Sequence, residues 1–357
     1  MKHFITFLRF ACQFFGFCLS NIRNPPYQDN TLGENETYAP PVYNAFIDAS
    51  YEVADKVELI HPARFLFNAG STPKAWNQKM LSDEHFKVLY YEQDSSKVFA
   101  NTDIKGGVAV TYHNNEQIYG AIEVFTPYII LNRISNRLSS LIQKSNISQI
   151  IHTQNRFNLN NLYEDHPDYS SFIGSDGKDK RFRNNTFDKV PVFFEKKNSE
   201  DDVKVIGVIK NKRNWRYISK RYVDVDSENL YKYKVIVPRA NGTGALGEIL
   251  SSPLVLSPNE GYTQTFIGIG AFSTKIEAEN ALKYIKTKFA RAMLGILKID
   301  QHNEKDTWKK VPLQNFTSES DIDWNKSISE IDQQLYKKYE LSEDEITFIE
   351  ENVKEME

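Results

Sequence analysis

The alternation of short apolar runs with helix-type repeats is the feature that most restricts the fold of this 357-residue chain. Apolar residues recur at helical spacing over 42–54, and a second helix is expected over 75–81. Short apolar runs at 57–60, 86–91 and 108–112 are typical of strands. Strands that alternate with helices predict an α/β sheet.

The tetrapeptide Asn24-Pro25-Pro26-Tyr27 precedes this pattern. The side-chain oxygen of Asn24 and the carbonyl of Pro25 are two acceptors for one exocyclic amino group. Successive prolines hold such an acceptor rigidly, because each ring fixes φ. Tyr27 offers a ring on which an extruded base could stack. The alternative interpretation is an ordinary Asn-Pro turn.

Several stretches of the chain resemble the bacterial adenine-N6 DNA methyltransferases of restriction-modification systems, in particular the Eco57I-like and TaqI-like group with the NPPY motif. The stretches that carry the resemblance are 24–28, 44–46, 57–66, 98–112, 263–294 and 311–339. The resemblance implies methyl transfer from S-adenosylmethionine to N6 of a flipped adenine in double-stranded DNA, in the cytoplasm and without a metal.

The resemblance also assigns roles to individual residues. Asn24, Pro25, Pro26 and Tyr27 would be catalytic, with Tyr27 stacking on the target base. Phe99 would stack on the opposite face of the base, although a core aromatic is the alternative. Phe46 is a candidate contact for the cofactor.

By the same resemblance, residues 24–120 form the C-terminal half of the catalytic domain, with a partial Rossmann-like methyltransferase sheet. Residues 121–312 form a mixed α+β target-recognition domain, and residues 313–357 form an acidic helical tail. The family's glycine loop for the cofactor is expected before the motif, where Gly16 is the only glycine. We therefore expect a truncated enzyme, weakly active unless a second chain supplies the cofactor half, and a restriction nuclease is another candidate partner.

Residues 1–23 depart from the family pattern. The apolar run at 4–19 has the outline of a secretory signal peptide, but no small-residue cleavage site follows it. The run is also short for a membrane span and is interrupted by Arg9. We expect no membrane association. The two cysteines, Cys12 and Cys18, have no zinc-like spacing.

Charge is distributed unevenly along the chain. Residues 121–312 carry 30 Lys and Arg against 21 Asp and Glu, whereas residues 313–357 carry 4 against 13. A basic middle segment predicts DNA contact, for which the candidates are Lys105, Lys210, Lys212, Arg213 and Arg216. The alternative is an exposed hairpin with ordinary surface charge. We expect an acidic tail of this kind to avoid DNA.

Four further elements are predicted after residue 120. A helix is expected over 129–142 and a strand over 262–272. Thr274 with Glu277 predicts a capping box for a long helix to about 297, and Ser342 with Glu345 predicts another in the tail.

Two patterns in the basic segment imitate other sites. Asp188, Glu195 and Lys197 resemble a nuclease metal site, but such triplets arise often by chance in charged stretches. The run 242–247 spells a dinucleotide fingerprint, yet the sequence after it predicts no helix. Two other functions remain open at this point: a DNA-binding specificity module without its own catalysis, and a membrane-anchored or unrelated protein.

Overall fold

The computed structural model describes residues 20–23, 25–27, 40–68, 71–102, 104, 106–173, 180–224, 229–298 and 301–357. The chain divides into two compact units, Met1–Asn132 (unit 1) and Arg133–Glu357 (unit 2). Asn24, Lys105 and the apolar run at 4–19 lie outside the described residues. The division into segments 1–23, 24–120, 121–312 and 313–357 remains a prediction.

Unit 1 is built on a four-stranded sheet in the order β1-β2-β4-β3. Strands β1 and β2 are parallel, whereas β4 runs antiparallel to both β2 and β3. Helix α1 lies between β1 and β2 in the chain, so the three elements form a crossover between parallel strands. The elements are β1 Ser20–Arg23, α1 Tyr43–Val53, β2 Lys56–Pro62, α2 Lys74–Ser82, β3 Phe86–Glu92 and β4 Val108–Asn114.

The core of unit 1 forms where apolar residues of the sheet and of the segments beside it meet. Ile47 of α1, Leu59 of β2, Phe65 and Phe86 are all buried in one hydrophobic cluster. Alternate residues of β2 are buried, as the side-chain period of a strand requires. The helices predicted at 42–54 and 75–81 and the strands predicted at 57–60, 86–91 and 108–112 are therefore confirmed.

Unit 2 contains two further sheets. One has the order β10-β6-β7 and the other the order β5-β11-β8-β9. The strands are β5 Ile151–His152, β6 Val203–Ile209, β7 Lys212–Ile218, β8 Tyr233–Pro238, β9 Leu254–Leu256, β10 Glu260–Tyr262 and β11 Phe266–Phe272. The α-helices after α2 are α3 Ile129–Arg137, α4 Ser139–Lys144, α5 Leu159–Asp165, α6 Ser170–Ile173, α7 Thr186–Lys189, α8 Lys275–Lys286, α9 Lys288–Gly295, α10 Ile328–Lys338 and α11 Glu343–Asn352.

Three elements predicted as continuous are each divided in two. The helix predicted over 129–142 breaks at Leu138, and the strand predicted over 262–272 is interrupted after Tyr262. The long helix breaks at Thr287, whose extended ψ of 149° ends α8. The Thr287 hydroxyl then accepts a hydrogen bond from the Ala290 amide and caps α9. The carboxylate of Asp332 accepts two more amide hydrogen bonds at the start of α9, so polar side chains stabilise the break.

The acidic tail folds as two capped helices within unit 2. Capping boxes at Ser327 and Ser342 begin α10 and α11, which confirms the box predicted for Ser342. The Lys354 amide donates to the carbonyl of Gly247 at 3.1 Å. Lys288 forms an ion pair of 2.5 Å with Glu350. The tail therefore packs on the helices and the glycine-rich run of its own unit.

Helices and sheets are mixed in both units, as expected for an α/β class. Within the described ranges, no helix has the length and apolar character that a membrane crossing requires.

Candidate functional site

The predicted catalytic tetrapeptide follows β1 directly. Arg23, the last residue of β1, pairs with Leu59 of the parallel strand β2. Pro25 is buried, Pro26 is exposed and Tyr27 is half-buried. Ligands in open α/β sheets bind beyond the carboxyl ends of the strands, and Pro25, Pro26 and Tyr27 follow β1 at that position.

Tyr27 is fixed through its backbone rather than through its hydroxyl. Its carbonyl accepts a hydrogen bond of 3.2 Å from the amide of Val42, the residue that precedes α1. The buried hydroxyl has no hydrogen-bond partner among the residues described. Burial raises the pKa of Tyr27 to about 12, so the phenol is neutral at physiological pH. Stacking on the ring needs no hydrogen bond from this hydroxyl.

Phe99 lies in a loop that is cross-braced by the buried side chain of Ser95. The Ser95 hydroxyl donates to the carbonyl of Thr102 at 3.0 Å and accepts from the amide of Ile104 at 2.8 Å. The Phe99 amide donates to the Ser95 carbonyl at 2.8 Å. The half-buried Phe99 is thus carried by a braced loop and does not belong to the core cluster of unit 1.

The Phe99 loop is attached to the carboxyl end of β2. Val108, where β4 begins, pairs with Pro62 at the end of β2 and with Glu92 at the end of β3. The amide of Ala63 donates to the carbonyl of Gly107 at 3.0 Å. Because β1 and β2 are parallel, the tetrapeptide and the Phe99 loop leave the sheet at the same edge.

An aromatic layer lies behind this edge. The ring of His61 stacks on Tyr43 with centroids 6.0 Å apart, and its Nε2 lies 2.7 Å from the Thr111 hydroxyl. Burial lowers the pKa of His61 to about 4, so the imidazole is neutral at physiological pH. His113 lies 3.2 Å from Asp83. Both histidines thus have packing partners within unit 1.

Asn44 is the residue near this edge whose role the sequence did not predict. Its side-chain oxygen is buried and, among the residues described, has no hydrogen-bond partner. Asn44 lies in the first turn of α1, two positions after Val42, which binds Tyr27. Phe46, the predicted cofactor contact, is half-buried against the core of unit 1. The sequence signals for this turn were the helical spacing over 42–54 and the resemblance at 44–46.

The predicted DNA contacts in unit 2 lie on the hairpin β6–β7. Lys210 and Asn211 form its two-residue turn, with φ of 48° and 61°, as a primed hairpin turn requires. Lys210 and Lys212 are exposed. These two ammonium groups are therefore accessible to a polyanion.

The two arginines of the predicted cluster have other partners. Arg213 donates to the carbonyls of Ser252 and Ser251 at 2.7 and 2.9 Å, and burial lowers its pKa. Arg216 pairs with Glu195 at 3.3 Å. Both guanidinium groups stabilise unit 2, so the phosphate contacts predicted for them would be additional to these bonds.

The glycine-rich run at 242–247 is closed by its own chain. The Glu248 carboxylate accepts hydrogen bonds from the amides of Thr243 and Gly244 at 2.6 and 3.2 Å. Lys298 pairs with the same carboxylate at 3.2 Å. A carboxylate thus occupies the amides that a dinucleotide phosphate would need, and these hydrogen bonds contribute to lowering the pKa of Glu248 to about 2.

Two residues of the nuclease-like pattern have partners of their own. Glu195 pairs with Arg216, and Lys197 pairs with Glu200 at 3.2 Å. Within the part of the chain that the structure describes, no cluster of three metal-ligating side chains occurs.

Residues 22–99 match the family model of the Eco57I restriction-modification methylase. This match supports a restriction-modification DNA methyltransferase. The matched span runs from the end of β1 through the tetrapeptide to Phe99, so it contains both parts of the candidate site. A comparison with curated proteins found no match.

Proposed function

We propose that this chain is a site-specific DNA methyltransferase that acts on adenine N6. The observation that carries the proposal is the position of the tetrapeptide and the Phe99 loop at one sheet edge, within the 22–99 span of the methylase match. An edge of this kind suits an extruded base, because one ring can lie on each face and acceptors can reach its amino group.

The residues at this edge would act on the amino group of the base. The Asn24 side chain and the Pro25 carbonyl would accept its two hydrogens, which draws the nitrogen lone pair out of the ring. Rigid acceptors are effective here because they need no reorganisation as charge develops on nitrogen. Tyr27 and Phe99 would hold the base between two rings, and one stacked ring contributes about 1–3 kcal/mol.

S-adenosylmethionine, when bound, would supply the electrophilic methyl group. The glycine-rich run is not available to this donor, since Glu248 takes up its amides. Phe46 is the one candidate contact, and it packs on the core of unit 1. We therefore assign no donor-binding residue and derive only the steps performed on the base. A second chain that supplies the donor-binding part is the corresponding partner proposal.

Two experiments test the proposal. In the first, tritium transfer from labelled S-adenosylmethionine to DNA is followed by digestion to nucleosides, and the label is expected in N6-methyladenine. Asn24→Ala is expected to abolish that label. In the second, which needs no donor, 2-aminopurine replaces one adenine of the duplex, and its fluorescence is expected to rise when the base is extruded. Label in a cytosine product, or transfer that survives Asn24→Ala, would contradict the proposal.

A DNA-binding specificity module without catalysis is the second candidate. The exposed lysines of the β6–β7 hairpin favour it, because they belong to unit 2 rather than to the unit with the tetrapeptide. Under this alternative, the chain binds DNA with sequence selectivity, but 2-aminopurine fluorescence rises at no position. Asn24→Ala would then give the same results as wild type in the binding and fluorescence assays.

A further inference from the structure

Unit 2 contains a cleft with an unusual lining. Its volume is about 570 Å³, and it is lined by Arg181, Arg183, Asn184, Asn185 and Gln264. Among the described residues, the lining combines two guanidinium groups with three carboxamides and includes no carboxylate. Such a lining is rich in hydrogen-bond donors and positively charged, so it favours a ligand with many acceptors and negative charge.

The walls of the cleft are fixed to one another. The backbone N–H of Gln264 donates to the backbone carbonyl of Phe182 at 2.8 Å, which joins the two segments that form the cleft. The side-chain oxygen of Asn184 accepts from the Val208 amide at 3.0 Å and from the Thr263 hydroxyl at 2.9 Å. The backbone of the cleft and the Asn184 side chain are thus held in position before any ligand binds.

Several donors in the cleft remain available. With its oxygen occupied, Asn184 retains its NH₂ group as a donor. Among the residues that the structure describes, no partner is found for the guanidinium of Arg181 or for the carboxamides of Asn185 and Gln264. Unused donors that stand on a rigid frame indicate a site for a ligand rather than a structural network.

The cleft adjoins the basic hairpin. Asn184 binds Val208 of β6, two residues before the turn that carries Lys210, and Val208 pairs with Arg213 across the hairpin. Exposed lysines beside a polar cleft match the division of labour in DNA recognition, in which phosphate contacts position the duplex and other side chains read the bases. This continuity favours a nucleotide within DNA over a free nucleotide.

We propose that this cleft reads the DNA target, with Gln264 and Asn185 as specificity-determining residues and Arg181 as a guanine or phosphate contact. Carboxamides pair with the N6 and N7 edge of adenine, and guanidinium groups pair with the O6 and N7 edge of guanine. The inference rests on the proposed function, because it takes DNA as the substrate of the same chain. It adds the residues that would choose the sequence.

The test is selection of bound duplexes from a randomised pool, without any methyl donor, using the full chain and single variants. Wild type is expected to enrich one sequence. Gln264→Ala and Asn185→Ala are each expected to relax the preference at one position and to weaken binding of the enriched duplex about 5- to 140-fold, which corresponds to about 1–3 kcal/mol. Gln143→Ala, an exposed glutamine in α4 outside the cleft lining, is the matched control and should enrich the wild-type sequence.

The outcomes separate this inference from the proposed function. Absence of any 2-aminopurine fluorescence increase together with a retained, Gln264-dependent preference would refute base extrusion by the proposed site and support the cleft. If Gln264→Ala and Asn185→Ala both enrich the wild-type sequence with unchanged affinity, the cleft does not read DNA. Enrichment of no sequence by wild type would overturn the inference as well. Asn185 is exposed, so its substitution keeps the test valid if Gln264→Ala fails to fold.

Discussion

The link between the Phe99 loop and the sheet is tested by Gly107→Ala. Gly107 has a φ of +79°, and a Cβ atom there would lie 2.3 Å from the backbone oxygen of Glu92. A non-glycine residue in such a conformation costs about 1–3 kcal/mol. Inserting a methyl group into a packed region costs about another 1–3 kcal/mol. We therefore expect the free energy of unfolding of unit 1 to fall by about 2–6 kcal/mol.

Gly120→Ala provides a matched control in the same unit. Gly120 has a similar φ of +88°, but an added Cβ would meet nothing within 4 Å. This variant should lose only the conformational part, about 1–3 kcal/mol. The difference in the free energy of unfolding between the two variants measures the contribution of the contact between the loop and the end of β3.

The assay is hydrogen exchange followed by mass spectrometry on peptides from β2 and β4, because these report the opening of unit 1 alone. Base extrusion is measured in parallel by 2-aminopurine fluorescence. We expect Gly107→Ala to lose the fluorescence response and Gly120→Ala to keep it. Equal losses of stability in both variants, or a normal response in Gly107→Ala, would refute the argument that the loop is held by this edge.

Three further outcomes are expected. Tyr27→Ala should weaken base extrusion about 5- to 140-fold, whereas Tyr27→Phe should leave it within about twofold because the hydroxyl has no described partner; equal losses in the two variants would argue against stacking. Lys212→Ala should weaken binding to every duplex by the same factor and reduce the salt slope of binding by about 1. Arg213→Ala should in addition lower the thermal stability of unit 2, because two backbone carbonyls lose their hydrogen-bond donor. Burial raises the pKa of Asp332 from 3.8 to about 6, so its stabilising contribution is complete below pH 3.8 and is lost as pH rises through 6. Urea denaturation of unit 2 across this window should therefore show falling stability in wild type, by up to roughly 3 kcal/mol, and a flatter profile in Asp332→Asn.

The sequence predicted the elements of unit 1 because their signals are local. The helical spacing of Val42, Ala45, Phe46, Ala49 and Val53 and the short apolar run at 57–60 are each patterns within one element. The helix was predicted correctly, but its buried residues are Tyr43, Ile47 and Ser50, which lie on a different face. The cap at Thr274 and the capping box at Ser342 were predictable for the same reason, since each involves residues three positions apart. Only half of the box predicted at Thr274 forms: its hydroxyl accepts from the Glu277 amide, but the Glu277 carboxylate accepts from the Ser273 amide instead of the Thr274 amide.

Contacts between residues far apart in the sequence could not be predicted from these local patterns. The break at Thr287 depends on Asp332, which lies 43–44 residues away from the amides that it caps. Arg213 and Arg216 were grouped with the exposed lysines because charge patterns do not reveal partners such as the Ser252 carbonyl or Glu195. The cleft of unit 2 was not predicted, because Gln264 and Asn184 belong to no sequence motif and come together only in the folded chain.

We propose that the edge beside β1 receives an extruded adenine. The most direct measurement is a scan of 2-aminopurine through every adenine of the selected duplex, with wild type and Asn24→Ala compared at each position. We expect the 2-aminopurine fluorescence to rise at one position with wild type. Tritium from S-adenosylmethionine is expected to appear as N6-methyladenine at that position only when Asn24 is present. Brightening at no position, or N6-methylation that persists in Asn24→Ala, would contradict it.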